Sequence, residues 1–399
     1  MREKASCYLS VTGRQMVFCR DKKMKVRLGN YIKEYSVRNK KDEDIPVYSV
    51  TNTQGFCQDY FGKEVASKDK TTYKIVPRGC FAFNPSRINV GSVDWQKNEE
   101  RVIVSPLYNV FSVSEQLDQQ YLYYYLKSDF AIQKIRAVAT GSVRDNLKLA
   151  MLYEFPIEIP VIAEQRKIVD RLDRGKWLIE LREKELQSLD ELIKARFVEL
   201  FGDPVSNPKG WEKKALSEEA EIRIGPFGSL LHKEDYIIGG HALINPSHIV
   251  NGKITPDDKL TISDEKYDEL SAYHLKKGDV VMGRRGEMGR CAVVEQAGLL
   301  CGTGSLLIRT NGDLSADYIQ KIISFPSFKK TIEEMAVGQT MPNLNVPIVS
   351  AFQIIKPPKS VQDQYYAFVA QTDKSKAQVQ KSLNETQLLF DSLMQKYFG

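Results

Sequence analysis

The sequence lacks the features that mark membrane-spanning and secreted proteins. Its hydrophobic runs fall short of the roughly 18 apolar residues that a membrane span needs. The N-terminal stretch MREKASCYLSVTGRQMVFCRDKK lacks the continuous apolar core of a secretory signal. Six cysteines, at positions 7, 19, 57, 80, 291 and 301, form no CxxC pair, which argues against a zinc ribbon or a thioredoxin-type site. Scattered thiols fit a reducing compartment, so we expect a cytoplasmic protein.

Catalytic signatures are equally scarce. The four histidines are too dispersed for a recognisable metal site. No phosphate-binding GxxxxGK[ST] loop, GxSxG elbow or HExxH helix occurs. NPSR (84–87) and NPSH (245–248) lack the second proline and the aromatic residue of the Asn/Asp-Pro-Pro-aromatic motif of amino-methyltransferases. We interpret the glycines of GRRGEMGR (283–290) as turns, and we predict neither catalytic residues nor a metal site.

The most regular pattern present is a heptad. Leucine or isoleucine recurs at seven-residue spacing, at Leu172, Ile179, Leu186, Ile193 and Leu200. This spacing predicts a helix over about residues 163–200 that packs on a partner helix. Four further leucines are expected to widen its apolar stripe: Leu178, Leu181, Leu189 and Leu192. Such a helix is about 55 Å long at about 1.5 Å per residue, although an ordinary long helix within one domain is the alternative interpretation.

The sequence repeats itself at an offset of 197 residues. ATGSVRDNL (139–147) matches AVGQTMPNL (336–344), FPIEIP (155–160) matches FQIIKP (352–357), and FG recurs at 201–202 and 398–399. Four of the five heptad positions carry over to apolar residues, and Ile179 alone falls on a polar one, Lys376. We conclude that the chain consists of two copies of one unit, each a globular region followed by a long helix.

We therefore predict an α+β fold with a pseudo-twofold internal repeat. Its segments are an N-terminal extension (1–24), a globular region (25–160), a central long helix (161–202), a second globular region (203–359) and a C-terminal long helix (360–399). Short β-branched and aromatic segments predict strands in both regions. One helix is predicted over 118–136 and another over 317–335, where Pro326 should kink or break it. The two long helices are expected to pair as an antiparallel coiled coil.

Candidates for nucleic-acid contacts lie in the turns between strands. A net charge of +6 permits such contacts without demonstrating them. Five basic residues cluster within fifteen positions of the second copy: Lys276, Lys277, Arg284, Arg285 and Arg290. The first copy offers Asn84, Arg87, Asn89 and Arg144. Aligning Gly91 with Gly289 sets Arg87 opposite Arg285, although a solvated basic turn is the alternative interpretation.

The order and duplication of these segments resemble the specificity subunit of type I restriction-modification systems. The similar features are SVRDNL and TMPNL, each ahead of a strand, and EQRKIVDRLD, which opens the first long helix. IRIGPFGSLLHKEDY (222–236) and YHLKKGDVVMGRRGEMGRCAVV (273–294) look like the start and the middle of a target-recognition domain. The extension at residues 1–24 is not required by that family.

The resemblance implies a subunit without catalytic residues. Each target-recognition domain would read one half of a bipartite DNA target, and the helix pair would set the spacer. Two modification (methyltransferase) subunits would dock on the helices, for which Glu180, Glu183 and Lys184 are the candidate residues, and two motor-nuclease restriction subunits would complete the complex. S-adenosylmethionine, ATP and magnesium would bind those partners and not this chain. The alternatives are a self-contained methyltransferase or nuclease with unrecognised motifs, and a scaffold that binds only protein.

Overall fold

The computed structural model describes residues 25–58, 69–139, 146–337 and 343–399. These residues form two compact units, one of residues 25–183 with 381–399 and the other of Lys184–Gln380. Two helices of 40 residues, Ile162–Phe201 and Lys359–Phe398, each contribute to both units. Their first residues and their last residues are both 197 positions apart, the offset of the sequence repeat. No helix in the described part of the chain is long and apolar enough to cross a membrane.

The first unit is built on a four-stranded antiparallel sheet with the order β2-β9-β6-β7. Pairs β1–β10, β3–β4 and β5–β8 are also antiparallel. The strands are β1 Val26–Arg27, β2 Ile32–Glu34, β3 Ser49–Thr51, β4 Gly55–Cys57, β5 Lys74–Pro77, β6 Phe81–Phe83, β7 Val93–Trp95, β8 Arg101–Val104, β9 Asn109–Val113 and β10 Pro156–Ile157. The helices are α1 Gln119–Lys127, α2 Asp129–Val138, α3 Leu149–Tyr153 and the first half of α4 Ile162–Phe201.

The second unit repeats this sheet as β12-β22-β19-β20 and adds a five-stranded sheet, β13-β17-β14-β21-β18. The strands are β11 Glu212–Ala215, β12 Ala220–Ile224, β13 Tyr236–Ile237, β14 His241–Ile244, β15 Ile249–Val250, β16 Lys253–Ile254, β17 Thr261–Ile262, β18 His274–Leu275, β19 Val280–Gly283, β20 Cys291–Val293, β21 Leu299–Cys301, β22 Ser305–Thr310 and β23 Gln353–Lys356. The helices are α5 Leu216–Glu219, α6 Asp264–Glu269, α7 Ala316–Ile323, α8 Pro326–Met335, α9 Val346–Ser350 and α10 Lys359–Phe398.

The predicted helix over 118–136 is two helices. The chain breaks at Ser128, whose hydroxyl accepts a hydrogen bond from the backbone N–H of Ala131 and so caps α2. A serine that caps a new helix competes with continuation of the old one, and this explains a break that contains no proline. In the second copy the break occurs at Pro326, the first residue of α8, as predicted.

The two long helices pair in antiparallel fashion within each unit. In the first unit Arg171 donates to the hydroxyl of Tyr397 at 2.9 Å. In the second unit Lys376 forms an ion pair with Asp190 at 2.5 Å, and the guanidinium of Arg196 lies over the ring of Phe368. As the residue numbers rise along α4, the numbers of the contacting residues in α10 fall, so the two helices run in opposite directions. The pairing with Asp190 also explains why the one polar residue in the second heptad is a lysine.

The apolar seam of α4 is narrower than predicted. Leu172 is fully buried, and the other heptad residues are partly or half buried. Leu178, Leu181 and Leu192, which were expected to widen the stripe, are 38%, 41% and 48% exposed. A single partner helix covers only the heptad seam, so flanking leucines remain in contact with solvent.

Each unit closes its core with an aromatic residue from the end of a long helix. Phe398 of α10 packs edge-on against Tyr121 of α1, with ring centroids 5.1 Å apart. Phe201 of α4 packs in the same way against Tyr318 of α7, also at 5.1 Å. Both pairs are related by the offset of 197, so the packing is duplicated together with the sequence.

Candidate nucleic-acid interface

The predicted DNA-contacting residues lie in two structurally equivalent turns. Residues 84–92 join β6 to β7, and residues 284–290 join β19 to β20. Gly91 and Gly289 have positive φ values of 90° and 74°, a conformation that favours glycine, and each stands two residues ahead of the next strand. Counting back from those strands sets Arg87 opposite Arg285, in agreement with the sequence alignment.

The repeat motifs 139–147 and 336–344 each end in a leucine that forms a backbone hydrogen bond with the neighbouring turn. Leu147 donates its backbone N–H to the carbonyl of Pro85 at 3.1 Å, and Leu344 donates to the carbonyl of Arg284 at 2.9 Å. Both leucines are fully buried. The motif that first identified the repeat therefore holds the turn in place in both units. Arg144, the candidate within the first motif, lies outside the described residues.

The three arginines of the second turn differ in their surroundings. Arg284 is half buried, and its Nε donates to Oδ1 of Asn343 at 3.0 Å. Burial, with a smaller effect of the neighbouring charge on Arg285, lowers the pKa of Arg284. Arg290 pairs with Glu287 at 2.7 Å and also donates to a backbone carbonyl. Arg285 is exposed, and no residue in the described ranges forms a hydrogen bond or ion pair with its side chain, so it alone is free to bind a ligand.

Lys276 and Lys277 are exposed but do not belong to this turn. They lie between β18 and β19, whereas the arginines follow the end of β19. The four residues of β19 separate the two groups by roughly 13 Å. The basic cluster seen in the sequence is thus divided between opposite ends of one strand.

The first turn presents amides and hydroxyls instead of a row of arginines. Asn84 and Arg87 line a pocket of about 110 Å³ together with residues of the β3–β4 hairpin, including Thr51, Asn52 and Thr53. Arg87 is exposed. Asn89 lies in the same turn, where its carbonyl accepts a hydrogen bond from the side chain of Arg136 at 3.1 Å. Equivalent turns therefore present different polar groups.

Lys127, at the end of α1, was not among the sequence candidates. Its ammonium group donates to the carbonyl of Asn52 at 3.1 Å and also to the carbonyl of Gly91. It therefore joins the β3–β4 hairpin to the 84–92 turn. Desolvation by burial lowers the pKa of Lys127 to about 8. A lysine at the end of an amphipathic helix gives no sequence signal that distinguishes it from a solvated one.

The candidate partner-binding residues Glu180, Glu183 and Lys184 are all exposed on α4. Near them on the same helix, Trp177 is 59% exposed. In α10, within the first unit, Leu388 and Leu389 are 70% and 61% exposed. Large apolar side chains that are exposed on these helices are candidates for contact with a partner protein.

No group of three or more His, Cys, Asp or Glu residues in the described part of the chain is arranged to hold a metal ion.

Comparison with known proteins identifies the family. Residues 25–191 and 208–386 match the type I restriction modification DNA specificity domain. The specificity subunit of the type I restriction enzyme MjaIX from Methanocaldococcus jannaschii is 23% identical over 81% of this chain and 77% of its own length. The EcoKI specificity subunit from Escherichia coli K12 is 22% identical over 94% of this chain and 86% of its own.

Solved structures share the fold. A chain from a study of complex assembly and conformational transition of the type I R-M system superposes with a TM-score of 0.63 at 18% identity, covering 94% of this chain and 97% of that one. The type I restriction-modification S subunit from M. genitalium has a TM-score of 0.52 at 15% identity, covering 95% and 98%.

The chain belongs to the type I restriction-modification DNA specificity family, since two copies of the family domain cover most of its length. It is the DNA-recognition component of such a system and not its catalytic component. A self-contained methyltransferase or nuclease and a protein-only scaffold are both disfavoured.

Proposed function

We propose that each unit reads one half of a bipartite duplex target through the turn at the end of its central hairpin. The observation that carries this proposal is that the two units share one sheet and turn, while the polar side chains of the two turns differ. Arg285 projects from the second turn, whereas Arg87 stands beside Asn84 and the polar β3–β4 hairpin in the first. Arginine and asparagine are the side chains that pair bidentately with guanine and adenine in the major groove. Two unlike readers on one scaffold suit an asymmetric target.

The chain acts with partners in this proposal. Two modification subunits dock on the exposed faces of α4 and α10 and methylate adenine, and two restriction subunits complete the complex in the cytoplasm. S-adenosylmethionine, ATP and magnesium then belong to those partners. The exposed side chains of Trp177, Leu388 and Leu389 support docking on these helices, and Glu180, Glu183 and Lys184 are exposed on α4.

A domain exchange tests the half-site assignment. Residues 25–160 are replaced by the corresponding region of another family member, and methylated adenines are mapped in cells that express the hybrid with its modification subunits. We expect one half of the target to change and the other half, with the spacer, to remain. A hybrid that changed both halves, or neither, would contradict the assignment.

We further propose that the paired helices set the number of base pairs between the half-sites. Because Asp190 pairs with Lys376, seven residues inserted after Leu189 must be matched by seven inserted after Lys376. A heptad keeps the seam in phase and lengthens each helix by about 10 Å, or about three base pairs of duplex. The control carries the α4 insertion alone, which shifts the pairing. A methylome with an unchanged spacer in the doubly extended variant would refute this role.

A further inference from the structure

A cavity of about 580 Å³ lies beside the 284–290 turn of the second unit. Its walls are that turn, the β15–β16 hairpin and the end of α7. One residue of α4, Lys194, and one residue of α8, Lys329, complete the lining. Its volume falls within the range of ligand sites in proteins. Three residues of the turn, Glu287, Gly289 and Arg290, line the cavity, so the cavity and the turn are neighbours.

The lining carries an excess of positive charge. Four cations contribute, Lys194, Arg290, Lys321 and Lys329, against the single carboxylate of Glu287. That carboxylate accepts hydrogen bonds from Lys329 at 2.9 Å and from Arg290 at 2.7 Å, and these contacts, that from Lys329 first, lower the pKa of Glu287. The ammonium groups of Lys194 and Lys321 form no ion pair or hydrogen bond with any residue that the structure describes. They remain available to an anion.

The wall formed by α7 presents the side-chain amide of Gln320 to the cavity. Gln320 is only 8% exposed, and none of the described residues forms a hydrogen bond with its side-chain amide. The β15–β16 turn passes close by, since a Cβ on Gly252 would lie 3.2 Å from Nε2 of Gln320. Because this amide lines the cavity and forms no hydrogen bond with the described residues, its N–H groups are available to the oxygen atom of a ligand.

The first copy shows that the scaffold does not need these polar groups. At the offset of 197, Gln320 corresponds to Tyr123, Lys329 to Ile132, and Lys194 to Asp391. Tyr123 packs edge-on against Tyr124 in α1, with ring centroids 5.7 Å apart. The first unit therefore folds with an aromatic ring, an aliphatic side chain and a carboxylate at these positions. The basic lining is a property of the second unit.

We propose that this cavity binds a phosphate group of the DNA backbone next to the bases contacted by the 284–290 turn. Lys194 and Lys321 supply the charge, and the amide of Gln320 donates a hydrogen bond to a phosphate oxygen. Lysine and side-chain amides are common phosphate ligands, and such contacts position a protein on the duplex without reading sequence. This inference rests on the proposed function of the turn. A free phosphate compound would offer the same chemistry, so the test separates the two sources.

The test is the salt dependence of DNA binding by the full chain assembled with its modification subunits. The variant is Lys194→Ala/Lys321→Ala. Loss of the contact with this one phosphate should reduce the slope of log K against log salt by about 0.9, so the ratio of wild-type to variant affinity changes about 3.5-fold between 50 and 200 mM salt. The base preference should not change. Lys209→Ala/Lys259→Ala, which removes two exposed lysines outside the cavity and outside the long helices, is the matched control.

Three results would overturn the inference while leaving the proposed function intact. The first is a salt slope equal to that of the control variant. The second is an altered base preference in the Lys194→Ala/Lys321→Ala variant. The third is thermal stabilisation of the wild-type chain by inorganic phosphate or AMP that requires both lysines while the DNA salt slope is unchanged. Failure of the proposed function is distinct, because the wild-type complex itself would then show no sequence-selective binding.

Discussion

Replacing Lys127 by methionine removes the ammonium group that joins residues 84–92 to the β3–β4 hairpin. Burial is the largest influence on this group and lowers its pKa from 10.5 to about 8, while Asp94 opposes the shift and Lys176 and Lys97 add to it. One pKa unit corresponds to about 1.36 kcal/mol, so the charged form in the folded state carries a cost of about 3 kcal/mol.

The sign of the pH dependence follows from the two pKa values. Below pH 8 the lysine is charged in the folded and the unfolded chain, and the full cost is present. Between about pH 8 and pH 10.5 the unfolded chain binds more protons, so the free energy of unfolding rises with pH. Above that window the cost has disappeared. Relative to Lys127→Met, the wild-type protein should therefore gain about 3 kcal/mol between pH 8 and pH 10.5.

Urea denaturation at a series of pH values measures this difference. Of the three tryptophans, Trp95 and Trp177 lie in the first unit and Trp211 lies in the second. A Trp211→Phe background therefore confines the fluorescence signal to the unit that contains Lys127. Lys33→Met, at an exposed lysine of β2, is the control for removal of a lysine from the same unit.

A difference between wild type and Lys127→Met that stayed constant, or fell, across this window would refute the reasoning. It would mean that the ammonium group is solvated and does not join the two loops. The variant should also weaken recognition of the first half of the target only, which methylome mapping reads independently.

The remaining predictions concern the second turn, the second core and the helix surface. Arg285→Ala and Arg87→Ala should each weaken DNA binding by about 1–3 kcal/mol and relax a different half of the target, as binding assays on base-substituted duplexes will show. Arg309→Met should destabilise the second unit by about 3–5 kcal/mol, because it removes the cation that pairs with the buried Asp279 carboxylate at 2.7 Å. Trp211 fluorescence during denaturation measures this loss. Adding Asp279→Asn to the same chain should restore part of it. Leu389→Asp should reduce co-purification of the modification subunits without changing the melting temperature of the chain by more than a few degrees.

The repeat allowed much of the fold to be predicted from the sequence. The offset of 197 defines both long helices within two residues at each end, and Pro326 correctly marks the break between α7 and α8. The break at Ser128 was missed because a serine between two apolar stretches is compatible with one helix or with two. The exposure of Leu178 and its neighbours was missed for a different reason. Periodicity identifies the face of a helix that is apolar, but the partner decides how much of that face is covered.

The candidate site was predicted less completely, because its geometry depends on contacts between distant residues. In the sequence, Arg284, Arg285 and Arg290 are equally good candidates for DNA contacts, because all three lie in the same short turn. Only the positions of Asn343 and Glu287 show that two of them are held by protein groups and that Arg285 is free. Lys127 depends in the same way on loops 36 and 75 residues away in the chain. No local pattern carries that information.

The division of the two long helices between the units has a consequence for folding during synthesis. The second unit is one continuous stretch, Lys184–Gln380, whereas the first unit takes Lys381–Gly399 from the far end of the chain. At roughly 5–20 residues per second, a ribosome that has finished the first part of that unit needs on the order of 10–40 s to reach the rest. During that interval the rings of Tyr121 and Tyr125 are not covered by Phe398, which packs against both of them in the folded unit. The unit that is encoded first is therefore completed last, and a chain stalled near its end exposes an aromatic surface of the kind that chaperones bind.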